Sequence, residues 1–475
     1  MRILHINTYQ TGGAALCMQR IGKALQQHGV ECRYLLMQGT DDEYTSVAPG
    51  DTDIWSKHIL VRFIQKVGYI IGIKPTFIRL RHKLEQSQAY NGERIIVTLP
   101  VSSYKSLPYH PWVQEADIIH LHWIGDFVDD QTFFKNIKKS VVWTLHDLNP
   151  LLGCFHYLDN DKKASIQLLA IEKECASIKR QSLSKTNNLH IVAISEQMKK
   201  AIGHSEVLGK YPITLINNGV DTTKFIHYDK ANIRDELGLK SDQIVFLFSS
   251  QTLEDKRKGL KELISALEIL KIENSLLICI GKYRETLNTK QTIKYLGFIT
   301  DNILLSKYYS AADFFVMPSF QEGFAQTPLE AMSCGTPVIA FPCSGTEELI
   351  NNSNGVICKD FTIEALTEGI KEGLSRHYNP DTIRKYIEDH FSYEIIANQY
   401  KNLYKSILDN HNIKVSNGKF SELDQDQINQ QKEEHEKQIN LFHQLDAKRD
   451  FYKMAITHPR YIAGWFKKKI KSLFN

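Results

Sequence analysis

The segment from Arg2 to Met37 constrains the fold more than any other part of the chain. "RILHIN" is a short apolar run of the kind a buried strand shows, and "TYQTGGAA" follows it as a glycine-containing turn. From Ala14 to His28 the apolar residues Ala14, Met18, Ile21 and Leu25 return at helical spacing, and Gly29 fits a C-terminal cap. "ECRYLLM" is the next strand candidate. Strand, glycine loop, helix and strand in this order make the opening unit of a doubly wound parallel sheet.

The pattern recurs. "ADIIHLHW", "SVVWTLHD" and "LHIVAIS" read as further strands buried on both faces. A strand then ends in the Asn217-Asn218-Gly219 turn, and a second series begins at "QIVFLFSS". It continues through a helix from Leu260 to Leu270, "SLLICIG", "TIKYLGF", a helix near 302–310, "DFFVMPS", "TPVIAF" and "GVICKD". A chain of 475 residues is too long for one ordinary core and suits two domains of roughly 200 residues. The expected fold is therefore α/β, with two doubly wound Rossmann-like domains facing a cleft and a helical C-terminal extension. The expected boundaries are 1–210, 211–385, a terminal crossover helix at 386–409, a polar linker or helix at 410–455 and a tail at 456–475. A basic amphipathic insertion at about 51–95 interrupts the first domain; its cations include Lys57, Arg62, Lys66, Lys74, Arg79, Arg81 and Lys83. Ligands of open α/β sheets bind at the carboxyl ends of the strands, so both domains should present theirs to the cleft.

Composition excludes several classes. A formal net charge of +4, with no basic stripe interleaved with aromatics, argues against nucleic acid. The eight cysteines form no C-x-x-C pair, which signals neither a zinc site nor a disulfide framework and fits a reducing compartment. "MRILHINTYQ" turns polar too early for a signal peptide, and no run of 18 apolar residues offers a membrane span.

The stretch "FQEGFAQTPLEAMSCGTP" (320–337) holds the chemistry of the second domain. Thr327 as N-cap, Pro328 at N1 and Glu330 at N3 would form a capping box, which explains Glu330 without a ligand. Glu322 has no such explanation. It precedes Gly323, Phe324 and Ala325 in a loop at a sheet's carboxyl edge, before a helix N-terminus suited to phosphate. Carboxylates there suit sugar hydroxyls, so the implied ligand is a sugar joined to a phosphate. In "LEDKRKGLKEL", Lys256, Arg257 and Lys258 crowd a helix start, where cations oppose the dipole unless an anion binds. Gly12 and Gly13 let a backbone approach a ligand closely, but the spacing is not G-x-G-x-x-G and no acid ends the second strand, which disfavours a nicotinamide enzyme. His146 ends a buried strand that points into the cleft, with Asp147 beside it to fix the loop. His122 and Trp123, in "HLHW", either line a sugar pocket on the acceptor side or pack. Three D-x-D triplets lie in polar segments with no strand before them, so no metal site is expected.

These motifs resemble the retaining glycosyltransferases of family 4, which have the GT-B architecture. The likeness covers roughly residues 1–409. It is strongest in "E-G-F-x-x-x-x-L-E-A-M-x-x-G-x-P-V" and is supported by "GGAA", "TLHD", "NNGVDTTKF" and "RKG". The resemblance implies a nucleotide diphosphate sugar as co-substrate, no other cofactor, a donor-binding second domain and an acceptor-side first domain. Glu322 would contact the donor hexose and Glu330, preceded by Leu329, the ribose hydroxyls. Gly323, Phe324 and Ala325 would lie along the sugar and diphosphate. Lys258 would neutralise the diphosphate, Gly13 would approach it from the first domain, and His146 would sit near the reacting side of the sugar. Many members carry a Gly-Arg pair where this chain has Ser249 and Ser250, so a phosphate role for Arg257 is an open substitution. The implied activity is transfer of a hexose to a glycan or lipid-linked oligosaccharide, in surface polysaccharide biosynthesis, with retained anomeric configuration. An epimerase acting on nucleotide sugars, or a non-catalytic scaffold that binds them, are the alternatives. The tail "HPRYIAGWFKKKIKSLFN" has five cations, no acid and an apolar helical face, the pattern of an interfacial helix. The expected location is cytoplasmic, with that tail at the anionic inner face of the cell membrane.

Overall fold

The structure is a computed structural model that describes residues 1–48, 76–88, 95–283, 287–411 and 419–420. The linker and tail expected at 410–475 lie almost wholly outside the described residues, as does most of the basic insertion. What is described of the insertion is a helix, Thr76–Gln88. It packs on the Ile166–Leu183 helix, burying Leu80 with Phe155, Leu168 and Ile171. Arg79 and Lys83 both pair with Glu174 across that contact.

Two parallel sheets carry the fold. The first has the order β3-β2-β1-β4-β5-β6-β7, from Thr45–Val47, Glu31–Gln38, Arg2–Tyr9, Ile118–Leu121, Ser140–Leu145, Leu189–Ala193 and Ile213–Leu215. The second has the order β10-β9-β8-β11-β12-β13, from Ile293–Gly297, Ser275–Lys282, Ile244–Thr252, Phe314–Met317, Val338–Ala340 and Gly355–Ile357. Every named pairing is parallel. The strands β1, β4, β5, β8 and β11 are apolar and buried along most of their length, as strands covered by helices on both faces must be. The strand order reverses between β1 and β4 and again between β8 and β11. These are the switch points at which a crevice opens beyond the carboxyl ends.

The last described helices, Pro380–Phe391 and Tyr393–Asn410, meet at Ser392. The second of them returns to the first sheet. Tyr400, Leu403 and Tyr404 pack with Ile3, Val142 and Val192. Tyr400 bonds Thr144 at 2.9 Å and Tyr404 bonds His120 at 2.7 Å, so each buried phenol is satisfied. The C-terminal end of the second half thereby holds the sheet of the first.

Candidate active site

The candidate residues follow the carboxyl ends of strands at or next to the switch points. Gly12 and Gly13 follow β1, His122 and Trp123 follow β4, and His146 follows β5. Arg257 and Lys258 follow β8, and the 318–325 loop follows β11. The helix Gly13–Gln27 starts at Gly12, whose φ of 102° favours glycine, with no side chain capping it. Both glycines are exposed, and a Cβ on either would meet nothing within 4 Å.

In the second domain two loops are zipped together. Gly259 (φ 73°) lies so close to the end of β11 that a Cβ would stand 2.0 Å from the Pro318 carbonyl oxygen. The Phe320 amide donates to the Arg257 carbonyl at 2.8 Å. This contact brings Lys258 Nζ to 2.6 Å from Glu322 Oε1. Arg257 is held by Asp255 at 2.6 Å and lies 4.4 Å over the Tyr157 ring of the first domain. Gly323 faces the first domain directly: a Cβ there would be 2.6 Å from the His146 carbonyl oxygen. The structure therefore gathers Glu322, Gly323, Arg257, Lys258 and His146 at one junction.

Glu330 departs from its expected local role. The helix spans Gln326–Ser333 with Ala325 as N-cap and no side-chain cap, so Thr327 and Pro328 lie inside it and no capping box forms. Glu330 is 5% exposed. Its Oε1 accepts from both terminal nitrogens of Arg20 at 3.1 Å, and its Oε2 accepts from Tyr309 at 3.2 Å. Arg20 also donates to Gln326 at 2.9 Å. Burial raises the Glu330 carboxyl above its ordinary value, and Arg20 opposes that shift without cancelling it. Leu329 is wholly buried beside it, and Phe324 packs near Phe391. Ala325 is half-buried at the head of the helix.

Of the two alternatives open to His122, the structure shows packing. The residue is 2% exposed, so it is not an acceptor contact. It stands behind His146, with Nδ1 3.0 Å from His146 Nε2 and Nε2 3.0 Å from His5 Nδ1. Burial lowers His146 to about 4 against an opposing pull from Asp147, lowers His5 to about 3, and presses His120 and His122 well below the usual imidazole range. All four rings are neutral at pH 7. Trp123 stays half-buried at the rim, stacked on His156 at 5.3 Å. Asp147 fixes the loop, accepting from Trp123 Nε1, His156 Nδ1 and the Asn149 amide. Nitrogens of His5, His120 and His122 could converge on a metal ion. Five of their six ring nitrogens already hydrogen-bond, three to groups outside the trio and two to each other, which accounts for the cluster without one.

Sequence reasoning missed Arg20, Tyr157 and His5. A signal for Arg20 was present: it stands three residues after Cys17 and four before Ala24, both buried, so a cation on that face needs a buried partner.

Residues 229–390 match the model of the glycosyl transferases group 1 family, a span that holds Lys258, Glu322 and Glu330. Over that segment, about a third of the chain, the protein is similar to the glycosyl transferases group 1. The chain is 26% identical over 368 residues to an uncharacterized glycosyltransferase of Methanocaldococcus jannaschii, covering 70% of this chain and 90% of that protein. It is 30% identical to the capsular polysaccharide biosynthesis glycosyltransferase CapM of Staphylococcus aureus, over 46% of this chain and 62% of CapM. Among solved structures, sucrose-phosphate synthase from Thermosynechococcus elongatus matches 86% of this chain and 99% of its own with TM-score 0.59 and 18% identity. Anabaena HepE in complex with UDP and glucose matches 86% and 100% with TM-score 0.59 and 18% identity. Those two likenesses show the GT-B fold for this chain. Among the described residues no helix is long and apolar enough to cross a membrane.

Proposed function

We propose that this glycosyltransferase moves a hexose from a nucleoside diphosphate sugar to a growing glycan or lipid-linked oligosaccharide, with retention and without a metal. The observation that carries the reading is the 2.6 Å pair between Lys258 and Glu322, set against the His146 backbone at the domain junction. A cation and a carboxylate in contact suit the two ends of such a donor. Cleavage of the anomeric bond sends its electron pair to the diphosphate oxygen and builds positive charge on the sugar. Lys258, Arg257 and the helix start at Gly12-Gly13 favour the first change, and Glu322 tolerates the second while positioning sugar hydroxyls. Glu330 serves the ribose only if the ligand shares its carboxylate with Arg20.

The names of relatives favour a surface glycan as product. CapM belongs to capsule biosynthesis, and a relative from Campylobacter jejuni, 29% identical over 69% of its length, acts on a diphospho-undecaprenol substrate. The acceptor approaches from the first domain, past Trp123. The basic insertion and the tail at 456–475 hold the enzyme at an anionic inner membrane face.

The test is a thermal-shift screen over nucleotide sugars, followed by nucleoside diphosphate release from any donor that raises the melting point. Glu322→Gln and Lys258→Ala should each lower turnover by about 10²-fold or more with the fold retained. Activity equal to wild type in both would remove this site. Interconversion of donor sugars without transfer would show an epimerase instead. Deletion of 456–475 should weaken binding to anionic vesicles, and equal binding would end the membrane reading.

A further inference from the structure

Three imidazoles run in single file inward from the cleft: half-buried His146, then buried His122 and His5. His5 and His120 are register partners on β1 and β4, and His122 lies two residues beyond His120 on the same face. The contacts are nitrogen to nitrogen, 3.0 Å at each step. Each therefore needs one N–H and one bare lone pair. Each ring is neutral and has a single N–H to spend. The direction of the whole file is consequently set by one proton position.

His5 decides that position. Its Nε2 is buried with no hydrogen-bond partner. A proton there would be an unmade buried donor, the rarer and worse orphan. The proton belongs on Nδ1, where it is donated to His122 Nε2. Neutral His122 then carries its proton on Nδ1 and donates it to His146 Nε2. Neutral His146 must in turn carry its proton on Nδ1. Tyr34 stacks on His5 at 5.5 Å, and Tyr404 and Thr144 occupy both nitrogens of His120, so neighbouring groups offer the file no second exit.

We propose that His122, directed by His5, is a positioning residue that locks His146 as the Nδ1–H tautomer, so that His146 offers the cleft a hydrogen-bond donor and never a base. Free histidine favours the opposite tautomer, with the proton on Nε2, so the file inverts the default. This rests on the transferase reading above, in which His146 stands by the sugar. With Nε2 engaged inward and Nδ1 protonated, His146 has no lone pair with which to take the acceptor's proton. Its N–H can instead hold a sugar hydroxyl or a phosphate oxygen while the bond breaks.

The experiment is nitrogen NMR of the full chain labelled at histidine, at about pH 7, with His146 assigned by its loss in His146→Gln. The expected wild type shows protonated Nδ1 and bare Nε2 on all three of His5, His122 and His146. His122→Phe should move His146 toward the Nε2–H form, and His122→Asn, which keeps an amide donor where Nδ1 stood, should restore it. A wild-type His5 protonated at Nε2, or a His146 tautomer unmoved by His122→Phe, would overturn the proposal. For a donor the wild type turns over, kcat should fall about tenfold in His122→Phe with KM within about threefold, and recover in His122→Asn. If no nucleotide sugar is turned over, the transferase reading fails while the NMR still decides the file.

Discussion

Replacing Arg20 with Met tests how the two domains are joined. Methionine keeps the aliphatic stem beside Phe225 and Tyr393, which the guanidinium now overlies at 5.8 Å each. What it removes is both bonds to Glu330 Oε1 at 3.1 Å and one to Gln326 at 2.9 Å. Glu330 would keep only Tyr309. Breaking one partner of a buried pair costs about 3–5 kcal/mol, because the remaining charge stays desolvated. Protonation of Glu330 limits that cost, and this gives the variant a pH signature. The folded Glu330 carboxyl already lies above its ordinary value of 4.5, and losing Arg20 lifts it further. A raised carboxyl favours the fold below the unfolded value, and that favour is lost as pH rises through the folded value. The Arg20→Met deficit should therefore be small near pH 5 and grow by at most about 1.4 kcal/mol per pH unit toward pH 8.

Urea unfolding at about pH 5, 6.5 and 8 measures this directly. At the highest pH, adding Glu330→Gln to Arg20→Met should recover at least about 2 kcal/mol, since the stranded charge is gone. A deficit under about 1 kcal/mol at pH 8, or one that does not change with pH, would refute the argument that this carboxylate is charged, buried and paired across the domains.

Two further outcomes follow from the same geometry. Gly259→Ala should cost at least twice as much as Gly238→Ala, because both have positive φ (73° and 65°) but only at Gly259 would the new Cβ meet a backbone oxygen at 2.0 Å. The strain alone is worth about 1–2 kcal/mol, so equal losses in urea melts would show that the loops are not zipped at Pro318. Acid should also unfold the chain early. His5 and His146 are lowered to about 3 and about 4, with His120 and His122 below the usual range, so the unfolded chain binds protons that the fold refuses. Stability is full above the unfolded value of 6.5 and falls below it by up to about 1.4 kcal/mol per pH unit for each ring; a flat profile from pH 6.5 to 5 would contradict buried neutral histidines.

The sheets were legible because burial on both faces writes strands as apolar runs that few other elements imitate, from "RILHIN" to "GVICKD". Lys258 and Glu322 were legible as separate loop candidates, whereas their contact, and the steric need for Gly259 against Pro318 and Gly323 against His146, appears only in the fold. What stayed hidden depends on partners distant in sequence. β3 has only three residues, Thr45–Val47, and no apolar run of its own. The capping box at Thr327 satisfied a local rule, yet the helix began two residues sooner and Glu330 answered to Arg20, 310 positions away. Local rules place a carboxylate at a helix start wherever one will fit. They do not register a guanidinium arriving from another domain, and a buried carboxylate in contact with one gains more from it than from its own backbone. His122 is the same case: "HLHW" leaves His122 open between a sugar pocket and packing until His5, 117 residues earlier, is found behind it.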